Sequence, residues 1–210
     1  MLSAPDALII SECQRGILEP ALGAFSGLAE EAKARGIVPR IAALAQAFRA
    51  AGKPVIHLTV AHRPDFADVK TNSLLAALAR KQGTVIAGTP QAQIVPELAP
   101  APHDFVVERS SGLIGFIGTS LDAMLRRMNV ETIVIAGVST NVAVTGCAMV
   151  ATDLGYRVII AEDCTAASDP ATHEVIVRDQ LAMVARLASA QEITATLTRG
   201  VTADCAPPQR

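Results

Sequence analysis

The sequence has no tryptophan and one tyrosine, and aromatic residues make up 3% of its 210 positions. That scarcity argues against recognition of single-stranded nucleic acid by base stacking. Excess positive charge is missing too: 18 Lys and Arg stand against 20 Asp and Glu, a formal net charge of −2. A basic face for nucleic acid is thereby disfavoured. No Cys-x-x-Cys occurs among Cys13, Cys147, Cys164 and Cys205, so the spacing of zinc knuckles and redox pairs is absent. No apolar run reaches the ~18 residues of a membrane span. The most apolar stretch, Ile133 to Ala151, is interrupted by Ser139, Thr140, Asn141 and Thr145. Met1 to Asp6 lacks the basic leader of a secretory signal. The sequence therefore predicts no nucleic-acid partner, no membrane partner and a cytoplasmic location with reduced cysteines.

What is present is apolar: half of the residues are hydrophobic, mostly Ala, Val, Ile and Leu. With so small a net charge, that content excludes intrinsic disorder. The length suits a single domain over residues 1–210. A mean hydropathy of +0.37 with 18% charged residues predicts apolar surface buried between copies, hence a homo-oligomer.

Short apolar runs alternate with helix-period segments. Strands are expected at Ala7–Ser11, Pro54–Val60, Asp104–Val107, Glu131–Gly137 and Arg157–Glu162, with a last one at Ile193–Leu197. Ile41, Leu44 and Phe48 mark the buried face of a helix that stops at Gly52. Further helices are expected at Asn72–Gln82, from Thr119 onward, at Asn141–Leu154 and from Asp169-Pro170 to about Ala188. Thr84–His103 reads as a long loop. Near-continuously apolar strands separated by helices predict an α/β fold with a parallel sheet covered on both faces. A ligand then sits beyond the carboxyl ends of the strands. That rule points to Glu12–Gly16, Ala61–Asp65, Glu108–Thr119, Val138–Val144 and Asp163–Ser168.

Glu12, at the end of the first strand, suits a general acid or base with a raised pKa; it equally suits a solvated or ion-paired carboxylate. Arg109 offers a fixed charge beside Glu12 or a fork for a substrate carboxylate, or simply an ion pair with a neighbour. In Gly137-Val138-Ser139-Thr140-Asn141-Val142-Ala143, the helix that opens after the fourth strand presents N–H groups to an oxyanion or anion. Ser139, Thr140 and Asn141 are also good capping residues.

Glu12 and Gln14 after the first strand, Phe116-x-Gly118-Thr119-x-Leu121, Gly137-Val138-Ser139-Thr140-Asn141, Asp153-Leu154-Gly155-Tyr156-Arg157-Val158 and Glu162-Asp163-Cys164-Thr165-Ala166 together resemble the isochorismatase-like hydrolases, the cysteine hydrolase superfamily. The resemblance runs over about residues 5–190. It implies a three-layer sandwich around a six-stranded, mainly parallel sheet, and oligomeric assembly. The amidohydrolases of that family use an Asp, a Lys and a Cys. The matching positions here carry Glu12, Arg109 or Ser110 depending on a one-residue shift, and Ala143. Ala143 has no nucleophile, so no thioester intermediate is expected. Cys147 lies one helical turn on, about 6 Å along the axis, and is expected in the core.

The resemblance leaves three readings open. One is a hydrolase of a small carbonyl, amide or vinyl-ether substrate that works by acid–base catalysis at Glu12; members that cleave the vinyl ether of isochorismate also lack the cysteine. Arg109 joins Glu12 in that reading, while Gln14, Ser110, Phe116, Ser139, Thr140 and Asn141 contact substrate. The second is a non-catalytic relative that binds a small molecule or serves as a subunit. The third is a cysteine amidohydrolase that uses Cys147, or whose nucleophile has been replaced at Ala143. No metal or other cofactor is expected. Relatives that deaminate nicotinamide carry Asp-x-His after the second strand, whereas here the stretch is Val60-Ala61-His62. No Gly-x-Gly-x-x-Gly follows the first strand.

Overall fold

The computed structural model describes residues 4–23 and 26–204. The chain opens with β1 (Ala7–Ser11), a single turn α1 (Arg15–Leu18), and helices α2 (Ser26–Ala34) and α3 (Ile37–Ala50). β2 (Val55–Val60), α4 (Leu74–Gln82), β3 (Phe105–Arg109), α5 (Leu121–Arg127) and β4 (Thr132–Val138) follow. A π-helical turn at Thr140–Val144 runs directly into α6 (Thr145–Asp153). β5 (Arg157–Ala166) and α7 (Pro170–Val175) lead into a second π-helical stretch, Ile176–Leu181. The short α8 (Ala182–Val184), β6 (Arg186–Ala188) and α9 (Ala190–Asp204) complete the order.

The sheet has six strands in the order β3-β2-β1-β4-β5-β6. Every neighbouring pair is parallel. β1, β2 and β4 are buried at every residue, as expected for strands covered on both faces. Alternation divides their side chains between two cores. Leu8, Ile10, Val134 and Ala136 pack with Ile41, Leu44 and Phe48 of α3 and with Ile193 and Leu197 of α9. Ala7, Ile9, Ile133 and Ile135 pack with Leu121 and Leu125 of α5 and with Cys147 and Ala151 of α6. The three-layer sandwich is thus the observed fold.

Gly52 is the left-handed residue (φ 68°) just past α3, where a side chain is disfavoured. Gly137 answers a different demand. It has φ 100°, and a Cβ there would collide with the backbone of Ser11 on the neighbouring strand.

The end of the chain departs from the sequence expectation. Ile193–Leu197 is not a strand but part of α9, and the sixth strand is Arg186–Ala188, inside the span expected to be helical. Ile193 and Leu197 are both buried and four residues apart, one face of a helix. Ser189 and Glu192 close a reciprocal capping box at its start: the Ser189 N–H donates to Glu192 Oε2 (2.8 Å) and the Glu192 N–H to Ser189 Oγ (3.2 Å). The helix α2 had no counterpart in the sequence reading. β3 runs on to Arg109, so this residue ends the strand rather than following it. The Thr84–His103 loop holds 3-10 turns at Pro90–Ala92 and Pro96–Leu98. Among the described residues no helix is long and apolar enough to cross a membrane.

Asp104, at the entry to edge strand β3, anchors that strand. Its side chain is 2% exposed. It accepts hydrogen bonds from Arg49 Nη2 (2.6 Å), the Ala101 N–H (2.9 Å) and His57 Nε2 (3.4 Å). Burial alone would raise this carboxyl; Arg49, Ala101 and His57 together hold it below its ordinary value. Asp104→Ala would leave Arg49 and His57 without their buried partner, and the expected loss is about 3 kcal/mol. Urea unfolding measures it; a midpoint within error of the parent would remove Asp104 from this role.

Candidate functional site

The sheet brings the post-strand segments together at its carboxyl edge. Glu12 follows β1, Arg109 ends β3, and Ser139 begins the turn after β4. β2 lies between β1 and β3, so the Glu12 and Arg109 side chains reach toward each other over its end. Arg109 Nη2 donates to Glu12 Oε1 in a close ion pair, with the two side chains 6% and 15% exposed. Arg109 is steadied by the Gly112 and Leu113 carbonyls, each at 3.4 Å.

Glu12 has a left-handed backbone, φ 49°, which costs a non-glycine residue about 1–2 kcal/mol. Hydrogen bonds lock it there: the Glu12 N–H donates to Leu58 O (2.9 Å) and the Gln14 N–H to Glu12 O (2.8 Å). The Gln14 side chain seals the turn. Its Nε2 donates to Val60 O (2.7 Å) and Ala92 O (2.8 Å), and its Oε1 accepts from the Val60 N–H (2.9 Å). Burial pushes the Glu12 carboxyl above its ordinary value; the charge and hydrogen bond of Arg109, and the nearby His62, oppose that without cancelling it.

A cavity opens on either side of this pair. The inner lobe, ≈ 260 Å³, is bounded by Glu12, Arg109, Ser139, Asn141, Ala143 and Ser168, with Ile17, Leu28, Leu75, Leu113 and Val142 as apolar walls. The outer lobe, ≈ 460 Å³, shares Glu12, Arg109, Ile17, Leu75 and Leu113 and extends past His62, Lys70 and Ser111 to α4. Ser139 and Asn141 stand where the helix begins, and the opening N–H groups of a helix have no intrahelical acceptor. A carbonyl oxygen gathering negative charge is stabilised by such donors.

Glu12, Arg109, Ser139, Asn141 and Ala143 therefore share one cavity. Four other residues singled out from sequence do not line either lobe. Gln14 is fully buried with its amide committed to backbone groups, so it shapes the Glu12 turn. Phe116 packs in the core against Tyr156, ring centroids 6.1 Å apart. Thr140 is buried and bonds His173 Nδ1 through its Oγ1 at 2.9 Å. Ser110 offers its carbonyl to His62 Nδ1, 2.7 Å. Conversely, the outer lobe brings in residues outside the expected set of site residues. His62 lies in the segment after β2 that had been flagged, and its bond to Ser110 fixes the ring beside the cavity. Lys70, Ser73 and the α4 wall carry no sequence signal, because α4 is amphipathic like any surface helix.

Cys13 and Cys147 line neither lobe. Cys147 is fully buried and its thiol is pushed up to about 11 by burial. Burial and the neighbouring Glu12 push Cys13 up to about 12. Neither is a thiolate near neutral pH. Among the described residues, no group of three His, Cys, Asp or Glu is placed to bind an ion.

The isochorismatase domain model matches residues 6–192. The chain belongs to the isochorismatase family. An uncharacterized isochorismatase family protein, YecD, from Escherichia coli O157:H7 is 34% identical over 196 residues, which is 89% of this chain and 93% of that protein. The ureidoacrylate amidohydrolase RutB of Rhizobium rhizogenes is 32% identical over 146 residues, covering 64% of this chain and 59% of its own. Among solved structures, an isochorismatase family protein from Desulfovibrio vulgaris superposes with a TM-score of 0.79 at 31% identity, over 92% of this chain and 98% of that one. The six-stranded parallel sheet with its helix layers agrees with membership of this hydrolase family.

The buried His173, bonded to Thr140, gives a prediction for stability against pH. Burial, reinforced by the charge of Arg35, holds the His173 imidazole down at about 4 against an ordinary 6.5. The unfolded chain therefore takes up the proton first as pH falls. Stability is lost between pH 6.5 and about 4, by on the order of 3 kcal/mol, and then levels off for this group. Urea unfolding at pH 7 and near 4 should show that loss, and His173→Gln should shrink it. An equal loss in parent and variant would contradict the assignment.

Proposed function

We propose that this chain is a hydrolase that cleaves a small carbonyl, amide or vinyl-ether substrate by acid–base catalysis at Glu12, with no covalent intermediate. The observation that carries the reading is the Glu12 carboxyl. It is largely shielded from solvent, raised above its ordinary value and held by Arg109 where the two lobes meet, in a cavity whose wall at the position matching the family's nucleophile is Ala143.

In this reading the substrate carbonyl lies in the inner lobe. Glu12 takes a proton from water as the water oxygen attacks the carbonyl carbon. The resulting oxyanion is held near the start of the helix after β4. Glu12 then returns the proton to the leaving nitrogen as the bond to carbon breaks, giving an acid and an amine. A vinyl ether uses the same group first as an acid. Burial suits Glu12 to both directions, because it keeps the proton affinity nearer to working pH than that of an exposed glutamate. Arg109 stabilises the carboxylate form and fixes its orientation. The RutB relative is named for an amide substrate, which supports an amide here. The three altered family positions, Glu12, Arg109 or Ser110, and Ala143, favour a second reading: a relative that binds a small molecule without turning it over.

Glu12→Gln preserves shape and a partner for Arg109 but cannot carry the proton. It should lower kcat by about 10²–10⁴-fold, with circular dichroism and unfolding midpoint unchanged. The acid limb of kcat/KM in the parent should lie above the ordinary glutamate value of 4.5. Turnover that survives Glu12→Gln sinks the mechanism. Binding without turnover in the parent selects the second reading.

Leu74, Ile117 and Met183 are 76%, 63% and 82% exposed, and they support the proposal that copies of this chain associate through apolar surface. Sedimentation velocity should give a mass above that of one chain; a monomer at micromolar concentration would refute it.

A further inference from the structure

Resting on that reading of the site, we propose that the outer lobe is a subsite for an apolar tail of the substrate, and that the tail completes the packing of α4. The lobe is larger than the space around the reacting centre and opens directly from it at Glu12 and Arg109. Its floor and sides are Val60, Val69 and Val85, and its cover is Leu75, Ala76 and Ala79.

A second observation comes from α4 itself. This helix is well formed: Ser73 Oγ accepts from the Ala76 N–H at 3.2 Å, and Gly83 ends it in the left-handed region, φ 60°. Yet none of its residues is buried. Its apolar side, which in α3 or α6 packs on the sheet, here faces the cavity. A helix stabilised chiefly by packing is thus left with open space where its core should be, and that space is continuous with the candidate active site. Glu12 and Arg109 neutralise each other where the lobe begins, and the other charged residues that border it, Asp68 and Lys70, are exposed and of opposite sign, so they give the tail no preferred charge. The chemical class that fits is a carbonyl compound bearing an aliphatic chain several carbons long. The carbonyl sits in the inner lobe and the chain lies against α4.

Straight-chain primary amides from acetamide to octanamide test this. With the parent protein, kcat/KM should rise about fourfold per methylene until the lobe is filled, the factor that follows from burying a methylene group. Hydrogen exchange of the 74–82 amides should slow in the presence of octanamide and not of acetamide. Ala79→Leu, which fills the lobe with side chain on an otherwise helix-compatible surface, should flatten the rise. Affinity for Glu12→Gln, measured by calorimetry, separates the two claims. Affinity that climbs with chain length while no amide is turned over keeps the tail subsite and removes the hydrolase reading for amides. Turnover that is flat across the series and unaffected in slope by Ala79→Leu removes the subsite and keeps the hydrolase. Absence of any chain-length dependence in turnover, affinity and exchange overturns the proposal.

Discussion

The close ion pair between Glu12 and Arg109 is the constraint on which this site is built. The two residues sit at the ends of strands that are not neighbours, so the pair forms only if β2 is inserted between them in register. The pairing of Val60 with Arg109, and the hydrogen bond from the Glu12 N–H to Leu58 O, set that register. A one-residue slip in β2 or β3 would turn Arg109 to the opposite face of the sheet. Glu12 adds its own requirement, a left-handed backbone fixed by Gln14. Sheet register, a strained turn and a buried amide thus converge on one carboxylate.

That carboxylate experiences opposed forces. Burial favours the protonated form, and the guanidinium favours the charged form. If Arg109 had been fully dominant, Glu12 would be an inert structural anion. If burial had acted alone, the group would rest as a neutral acid. The outcome is a carboxyl displaced upward yet held beside a cation. The cysteines show the other extreme. At Cys13 and Cys147 burial outweighs every opposing influence, Arg109 beside Cys147 included, and their thiols are pushed up. In the proposed mechanism the proton is therefore carried by a carboxylate and not by a sulfur.

Much of this was legible from residue order. Near-continuous apolar runs marked the central strands because both faces are covered. The rule that ligands lie beyond strand carboxyl ends then singled out Glu12, Arg109 and Ser139–Ala143 before any geometry. The reading failed where a pattern serves two structures. Ile193 and Leu197 fit a strand or one face of a helix, and only the Ser189–Glu192 capping box distinguishes them. β6 is three residues long, too short to display a period. Gln14, Thr140 and Phe116 are close in sequence to cavity residues, yet their side chains point into the structure that holds the cavity. Neighbouring residues in a turn diverge, and sequence adjacency does not report that. The outer lobe was invisible for a related reason: α4 has an ordinary amphipathic pattern, and nothing in it says that the apolar face looks onto empty space.

The strand order also explains why the cavity does not depend on the side chain at position 143. From β1 the sheet grows outward through β2 and β3 on one side and through β4, β5 and β6 on the other. The chain reverses its direction of growth between β1 and β4, and the connections leaving these two strands diverge there, opening a crevice at the carboxyl edge. Glu12 leaves β1 and Ser139 leaves β4, so both stand at this crevice by topology. The cavity is a product of backbone connections and of the Gly137 contact with Ser11 that lets β1 and β4 run side by side to their ends. Alanine at position 143 removes a reactive atom but none of those determinants. The scaffold keeps its opening, its helix start and its Glu12–Arg109 pair, and the proposed chemistry of Glu12 with water asks nothing more of position 143.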